Sequence, residues 1–172
     1  MPEASSLCFS FDPVVTCCFT GHRALPEVRR RTLETATDAA IDALVKQGYT
    51  DFVAGGAVGF DTLAALCVIR VRTLLANEKP IRLHLFLPCP EQADHWRQTD
   101  RLLYRRILAA ADTCRYIAPR YTPSCMLERN RAMVDVSSVL VAYLTRETGG
   151  SAYTVRYAKQ QGKDVRFLDP TA

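Results

Sequence analysis

Between residues 14 and 168 the sequence alternates six short apolar runs with five longer segments of helical periodicity. No other feature restricts the fold as much. The runs at 14–19, 51–54, 81–87, 113–117, 139–144 and 165–168 are strand-sized, and the first is rich in small and β-branched residues, as a buried strand requires. After the first run, Pro26 opens a helix that carries Leu33, Ala36, Ala40, Ile41, Leu44 and Val45 on one stripe. Gly48 is placed to end it as a left-handed cap. Further helices are expected over 61–75, 91–110, from Ser124 to about 134, and over 152–161. Strands separated by helices must return by crossovers and pair in parallel. The fold class is therefore α/β: a Rossmann-like, doubly wound, mostly parallel sheet of about six strands with helices on both faces. Residues 1–12 read as a loose N-terminal arm and residues 13–172 as a single domain.

With 172 residues, 48% of them apolar, the chain can bury a core without a disulfide or metal staple. That apolar share excludes disorder as the main theme. Uncharged apolar stretches such as 139–144 are far short of the ~20 residues of a membrane-spanning helix. The seven cysteines, at 8, 17, 18, 67, 89, 114 and 125, are odd in number and show no metal-ligand spacing. Reduced, mostly buried thiols and a cytoplasmic location are expected, with no metal. No secretory signal is visible. Alternation along a strand would send Cys17 and Cys18 to opposite faces, while Cys89, between two prolines, is expected near the surface. The net charge of +4 is too small to imply a polyanion, so nucleic acid is expected to be an unlikely partner.

The glycines are more informative than the charge. Gly21, Gly55, Gly56, Gly59, Gly149 and Gly150 each follow an expected strand and precede a helix. In an open parallel sheet these strand ends form the edge where ligands bind. Glycine lets a phosphate approach the backbone, and the next helix N-terminus offers free N–H groups. The segment Gly55-Gly56-Ala57-Val58-Gly59 is the leading cradle, with Gly149 and Gly150 beside it. The first turn reads Thr20-Gly21-His22-Arg23 and lacks the dinucleotide GxGxxG fingerprint, which argues against an NAD-dependent dehydrogenase. Arg129 and Arg131 are two apart on a helix, so only one can face the site; Arg129 is the expected clamp on the ligand's charge. Arg23 can reach the same anion. Asp61 either caps its helix or bonds a ribose hydroxyl. Thr20, Ser151 and Thr154 either donate to phosphate oxygens or cap. His22 and Trp96 read as structural, and the stripe Arg97, Arg101, Arg105 as a solvated face. No catalytic set is readable from spacing.

Several of these segments together resemble a known family. They are Cys18-Phe19-Thr20-Gly21-His22-Arg23, Gly55 to Thr62, Pro88-Cys89-Pro90 with Gln92 and Trp96, Arg129 to Asp135, and Gly149 to Val155. The pattern is similar to the YpsA-like branch of the SLOG superfamily, over about residues 14–168. That superfamily also holds the LOG (Lonely Guy) phosphoribohydrolases and the Rossmann domain of DprA. The resemblance implies a nucleotide-binding or nucleotide-sensing domain, its ligand a nucleotide or an NAD- or ADP-ribose-derived molecule, and suggests a homodimer. No separate cofactor is indicated. The alternatives it raises are N-glycoside hydrolysis of a nucleoside 5′-monophosphate and DprA-like binding of single-stranded DNA. Against hydrolysis stands a departure from the LOG motif Pro-Gly-Gly-x-Gly-Thr-x-x-Glu. Here Thr148 replaces the proline, Ala152 the third glycine, and Val155 or Arg156 the glutamate, so a hydrolase would need Glu128, Asp61 or Asp135 instead.

Overall fold

The first strand begins two residues later than its composition suggests. In the computed structural model, which describes residues 9–76 and 78–168, Pro13–Val15 forms a 3-10 turn. The Asp12 carboxylate caps it by accepting the Val14 N–H at 3.0 Å. Strand β1 then runs Thr16–Gly21. It is followed by β2 (Asp51–Ala54), β3 (Arg82–Leu87), β4 (Thr113–Tyr116), β5 (Val139–Tyr143) and β6 (Asp164–Phe167). All are parallel, in the order β4-β3-β2-β1-β5-β6. The winding reverses at β1. Its neighbour on one side is β2 and on the other β5, so a crevice opens beyond their carboxyl ends, where open α/β sheets bind ligands.

Period-two alternation divides the strand residues between two cores. Cys17, Phe19, Phe52, Leu83 and Leu85 face α1 (Arg30–Lys46), α2 (Phe60–Leu74) and α3 (Gln98–Ala110). Cys18, Val53, Phe86, Leu140 and Ala142 face α4 (Cys125–Asp135) and α5 (Gly150–Gln160). Helices thus cover both faces, and the adjacent cysteines diverge as alternation requires. Gly48 and Gly162 take φ of +99° and +69° just past α1 and α5, the left-handed region that lets a helix end sharply.

Two helices differ from their expected bounds. Pro26 is extended and leads into a 3-10 turn, Glu27–Arg29, so α1 opens at Arg30. The segment 91–110 is not one helix. Pro90–Ala93 is a 3-10 turn, the Trp96 N–H closes a further turn on the Ala93 carbonyl at 3.2 Å, and an extended Arg97 re-aims the chain before α3. The break seats Trp96 edge-on against Tyr104, ring centroids 5.3 Å apart, at the margin of the core. Cys89 is buried against Ala118 and Cys125 rather than near the surface, and burial pushes its thiol pKa up to about 11. Among the described residues the cysteines are free, Cys114 exposed and the rest buried; Cys8 lies outside them. Of the arm, Phe9 and Phe11 pack against the His84 ring, with centroids 4.5 and 4.8 Å away. No helix among the described residues is long and apolar enough to cross a membrane.

Candidate functional site

The crevice beyond β1 and β5 is a cavity of about 470 Å³. The turn after β1 supplies one wall: Thr20, Gly21, His22 and Arg23. The turn after β5 and the start of α5 supply another, from Thr145 to Ser151. Two hydrogen bonds hold these walls together. His22 Nε2 accepts the Thr145 N–H at 2.8 Å, and Ser151 Oγ donates to the Gly21 carbonyl at 2.7 Å. An acceptor nitrogen must carry no proton, so His22 is neutral here; burial, then the nearby Arg146, lowers its pKa in the same sense. His22 is a tie between strand ends, as its isolation in the sequence suggests.

The third wall comes from α4 with part of the turn after β2. Met126, Leu127, Arg129 and Asn130 line it, with Ala57 and Asp61. Arg129 is 5% exposed. Its Nη1 donates to the Gly55 carbonyl and lies 3.4 Å from Asp61 Oδ2, which also accepts the Ala57 N–H at 3.3 Å. Arg129 Nε is buried with no partner. Burial pushes the Asp61 carboxyl up in pKa, and Arg129, the Ala57 N–H and Arg23 pull it back only in part. Burial likewise lowers the pKa of Arg129; Asp61 opposes this, while the like charge of Arg23 adds to it. With Arg146, three arginines face one carboxylate around the cavity. Arg131 points elsewhere, its guanidinium over the rings of Tyr153 and Tyr157, so one arginine of the pair faces the site.

The glycines divide into two kinds. At Gly149 (φ +92°) and Gly150 a Cβ would meet no atom within 4 Å. These residues open α5 towards the cavity. The first intrahelical bond there is from the Tyr153 N–H to the Gly149 carbonyl, so the N–H groups of the preceding turn have no helical acceptor. The others are closed by protein. A Cβ on Gly55 would strike the Arg129 guanidinium and Asp61 carboxylate, and one on Gly59 (φ +86°) the Arg23 carbonyl at 2.2 Å. One on Gly56 (φ +67°) would meet Leu87, and Gln92 Nε2 donates to the Gly56 carbonyl at 3.2 Å. One on Gly21 would strike the Phe60 ring. Gly55, Gly56 and Gly59 therefore do not line the cavity, although they led the sequence reading: their missing side chains make room for protein atoms. Thr154 is also behind the wall. Its Oγ1 donates to the Gly150 carbonyl and accepts from Asn130 Nδ2, both at 2.9 Å.

Thr20, Gly21, Arg23, Asp61, Arg129, Gly149, Gly150 and Ser151 are thus brought together, whereas Gly55, Gly56, Gly59 and Thr154 support them. Sequence reasoning passed over Arg146 and Thr145, although they follow a strand just as Gly149 does. Met126 carried no signal. Of the carboxylates considered for hydrolysis, Asp61 alone lines the cavity. Glu128 accepts from Ser124 Oγ at 2.6 Å, and Asp135 from the Tyr157 hydroxyl at 2.8 Å. Val155 is buried, and Arg156 donates to the Glu147 carbonyl at 3.2 Å.

The family model described as the YspA SLOG family matches residues 19–170. The chain belongs to that family. A UPF0398 protein of Halalkalibacterium halodurans is 28% identical over 156 residues, 87% of this chain and 78% of the relative. An uncharacterized SPbeta prophage-derived protein of Bacillus subtilis, YoqJ, is 28% identical over 136 residues, 71% of this chain and 77% of the relative. Among solved structures, DNA processing protein A (DprA) of Streptococcus pneumoniae superposes with a TM-score of 0.64 at 16% identity, over 88% of this chain and 49% of DprA. The chain thus spans about half of that protein. DprA of Helicobacter pylori, described for its single-stranded DNA binding mode, gives 0.62 at 18% identity, over 92% and 70%. These likenesses establish the doubly wound fold. They also correct one expectation: a mild net charge had placed nucleic acid among the unlikely partners, yet a protein of this fold takes single-stranded DNA at a comparable likeness. Net charge summed over a chain does not describe the field in one crevice.

Proposed function

We propose that this chain binds a phosphate-bearing nucleotide in the crevice beyond β1 and β5. One observation carries the reading: a buried arginine with an unpartnered Nε and the open N-terminus of α5 line the same cavity. The α5 N-terminus suits an anion through its free N–H groups and helix dipole. The like charge of Arg23 disfavours the charge on buried Arg129, and an anion beside them relieves that cost. Asp61 beside them suits the hydroxyls of a ribose. The domain holds or senses its ligand rather than cleaving it, because the LOG-type glutamate is replaced and Asp61 is already tied to Arg129.

The test is thermal denaturation with AMP, ADP, NAD or ADP-ribose. A ligand present at about 100 times its dissociation constant stabilises by roughly 2.7 kcal/mol. At least one of the four is expected to raise the melting temperature. A flat response to all four at millimolar concentration removes the reading. A second reading, single-stranded nucleic acid, is favoured by the Helicobacter pylori neighbour. It shares the same phosphate contacts and differs in how far the ligand extends.

A further inference from the structure

A second cleft adjoins the first. It has a volume of about 540 Å³ and lies between α5 and the carboxyl end of β6. Thr145 and Arg146 line both cavities, so the two meet at these residues. Beyond Arg146 the second cleft presents Arg156 and Lys159, with Glu147 as its one carboxylate. At its far end Phe167 is 53% exposed, with Lys159 Nζ 5.4 Å from the ring centroid. An exposed aromatic ring with a cation on it, at the end of a cationic cleft, is the combination that receives a base and its phosphate. A mononucleotide in the first cavity leaves all of this unused.

We infer that the ligand is a nucleotide chain of at least two units joined by a phosphodiester. Its first phosphate sits at the α5 N-terminus, its second passes Arg146 towards Lys159, and its second base stacks on Phe167. The inference rests on the proposed phosphate site and adds the class of ligand. Arg146 is the shared element, with a phosphate on each side. Stacking and a phosphate contact read no base identity, so the second subsite is sequence-tolerant.

Calorimetric titration of the full chain separates the two readings. The probes are AMP, NAD, and the 5′-phosphorylated adenine dinucleotide in ribo and deoxy forms. The dinucleotide, in at least one form, is expected to bind tenfold or more tightly than AMP. Phe167→Ala and Lys159→Ala should each remove most of that gain and leave AMP affinity unchanged. Both side chains are exposed, so melting curves should match the parent's. Equal affinity for AMP and both dinucleotides overturns the inference while leaving the phosphate site standing. So does a gain that survives both substitutions, or a gain shown by NAD alone, which would mark a pyrophosphate ligand. No binding by any probe overturns both.

Discussion

Arg129 and Arg23 face one cavity, but their substitution should read out differently. Arg129 is buried on Asp61 and the Gly55 carbonyl, so it sets the shape of the site as well as its charge. Arg129→Ala leaves a carboxylate buried without its partner, which costs about 3–5 kcal/mol. Affinity lost in that variant would be confounded with a damaged fold. Arg23 is exposed, and among the described residues its side chain's one hydrogen-bond contact is to Met126 Sδ at 3.8 Å. Arg23→Ala should keep the parent's melting temperature and weaken AMP binding by about tenfold, since a hydrogen bond to a charged group is worth roughly 1.5–3 kcal/mol. Melting curves with titration calorimetry on both variants check this; an Arg23→Ala chain that binds AMP like the parent removes Arg23 from the site. Asp51 offers a separate test, at the other end of the sheet. Burial raises its pKa, but hydrogen bonds from His84, Arg82 and Thr50 outweigh burial and hold the carboxyl well below the usual carboxylate range. A lowered folded pKa contributes stability that is present above the unfolded value of about 4 and lost as pH falls below it. The parent should therefore lose melting temperature between pH 5 and pH 3 by more than Asp51→Asn does.

At the level of elements, the sequence made the central strands β1, β2 and β5 readable because burial on both faces writes itself as nearly unbroken apolar runs, whereas the edge strands β4 and β6 are largely exposed and were placed by the alternation with helices. It made the ends less readable. Nothing in the composition of 91–110 shows that Arg97 must extend so that Trp96 can reach Tyr104, because that contact is tertiary. The glycine turns were legible as turns but not as open or closed. Gly55 and Gly150 both follow a strand, yet one faces Arg129 and the other open space. Only the packing of α4 across the turn after β2 decides between them. Paired substitutions turn that difference into a measurement. Gly150→Ala adds a Cβ that meets no protein atom and improves helix propensity, so stability should hold or rise by up to about 1 kcal/mol. The same methyl narrows the approach to the α5 N–H groups, so nucleotide affinity should fall. Gly55→Ala drives a Cβ into the Arg129–Asp61 pair and should lower the melting temperature sharply even without ligand. Equal losses of stability in the two variants would contradict this division of the glycines.

Over the whole molecule, function is placed by winding. The crossover from β4 at one edge of the sheet runs through α4 to β5 beside β1. It carries Arg129 to the turn after β2 and sets Asn130 against Thr154 at the start of α5. Three sequence-distant segments become the walls of one cavity only because the winding reverses at β1. That convergence could be inferred from the strand–helix alternation, since any doubly wound sheet has such a point. Which turn meets which could not, because the strand order is absent from local pattern. A ligand held there should order the converging turns and leave the far side of the sheet as it was. Hydrogen exchange with and without saturating AMP tests this on the intact chain. Amides of residues 20–24 and 145–152 should slow, since they lie in loops and a first helical turn that open locally at low cost. Amides of α3 and β4, which do not line the cavity, should exchange unchanged in their first turns and edges. Global opening also slows when ligand binds, so the comparison belongs at short exchange times, where local opening dominates. Early protection centred on α3 or β4 instead would move the site to the basic face of Arg101 and Arg105, and the switch-point placement would be lost.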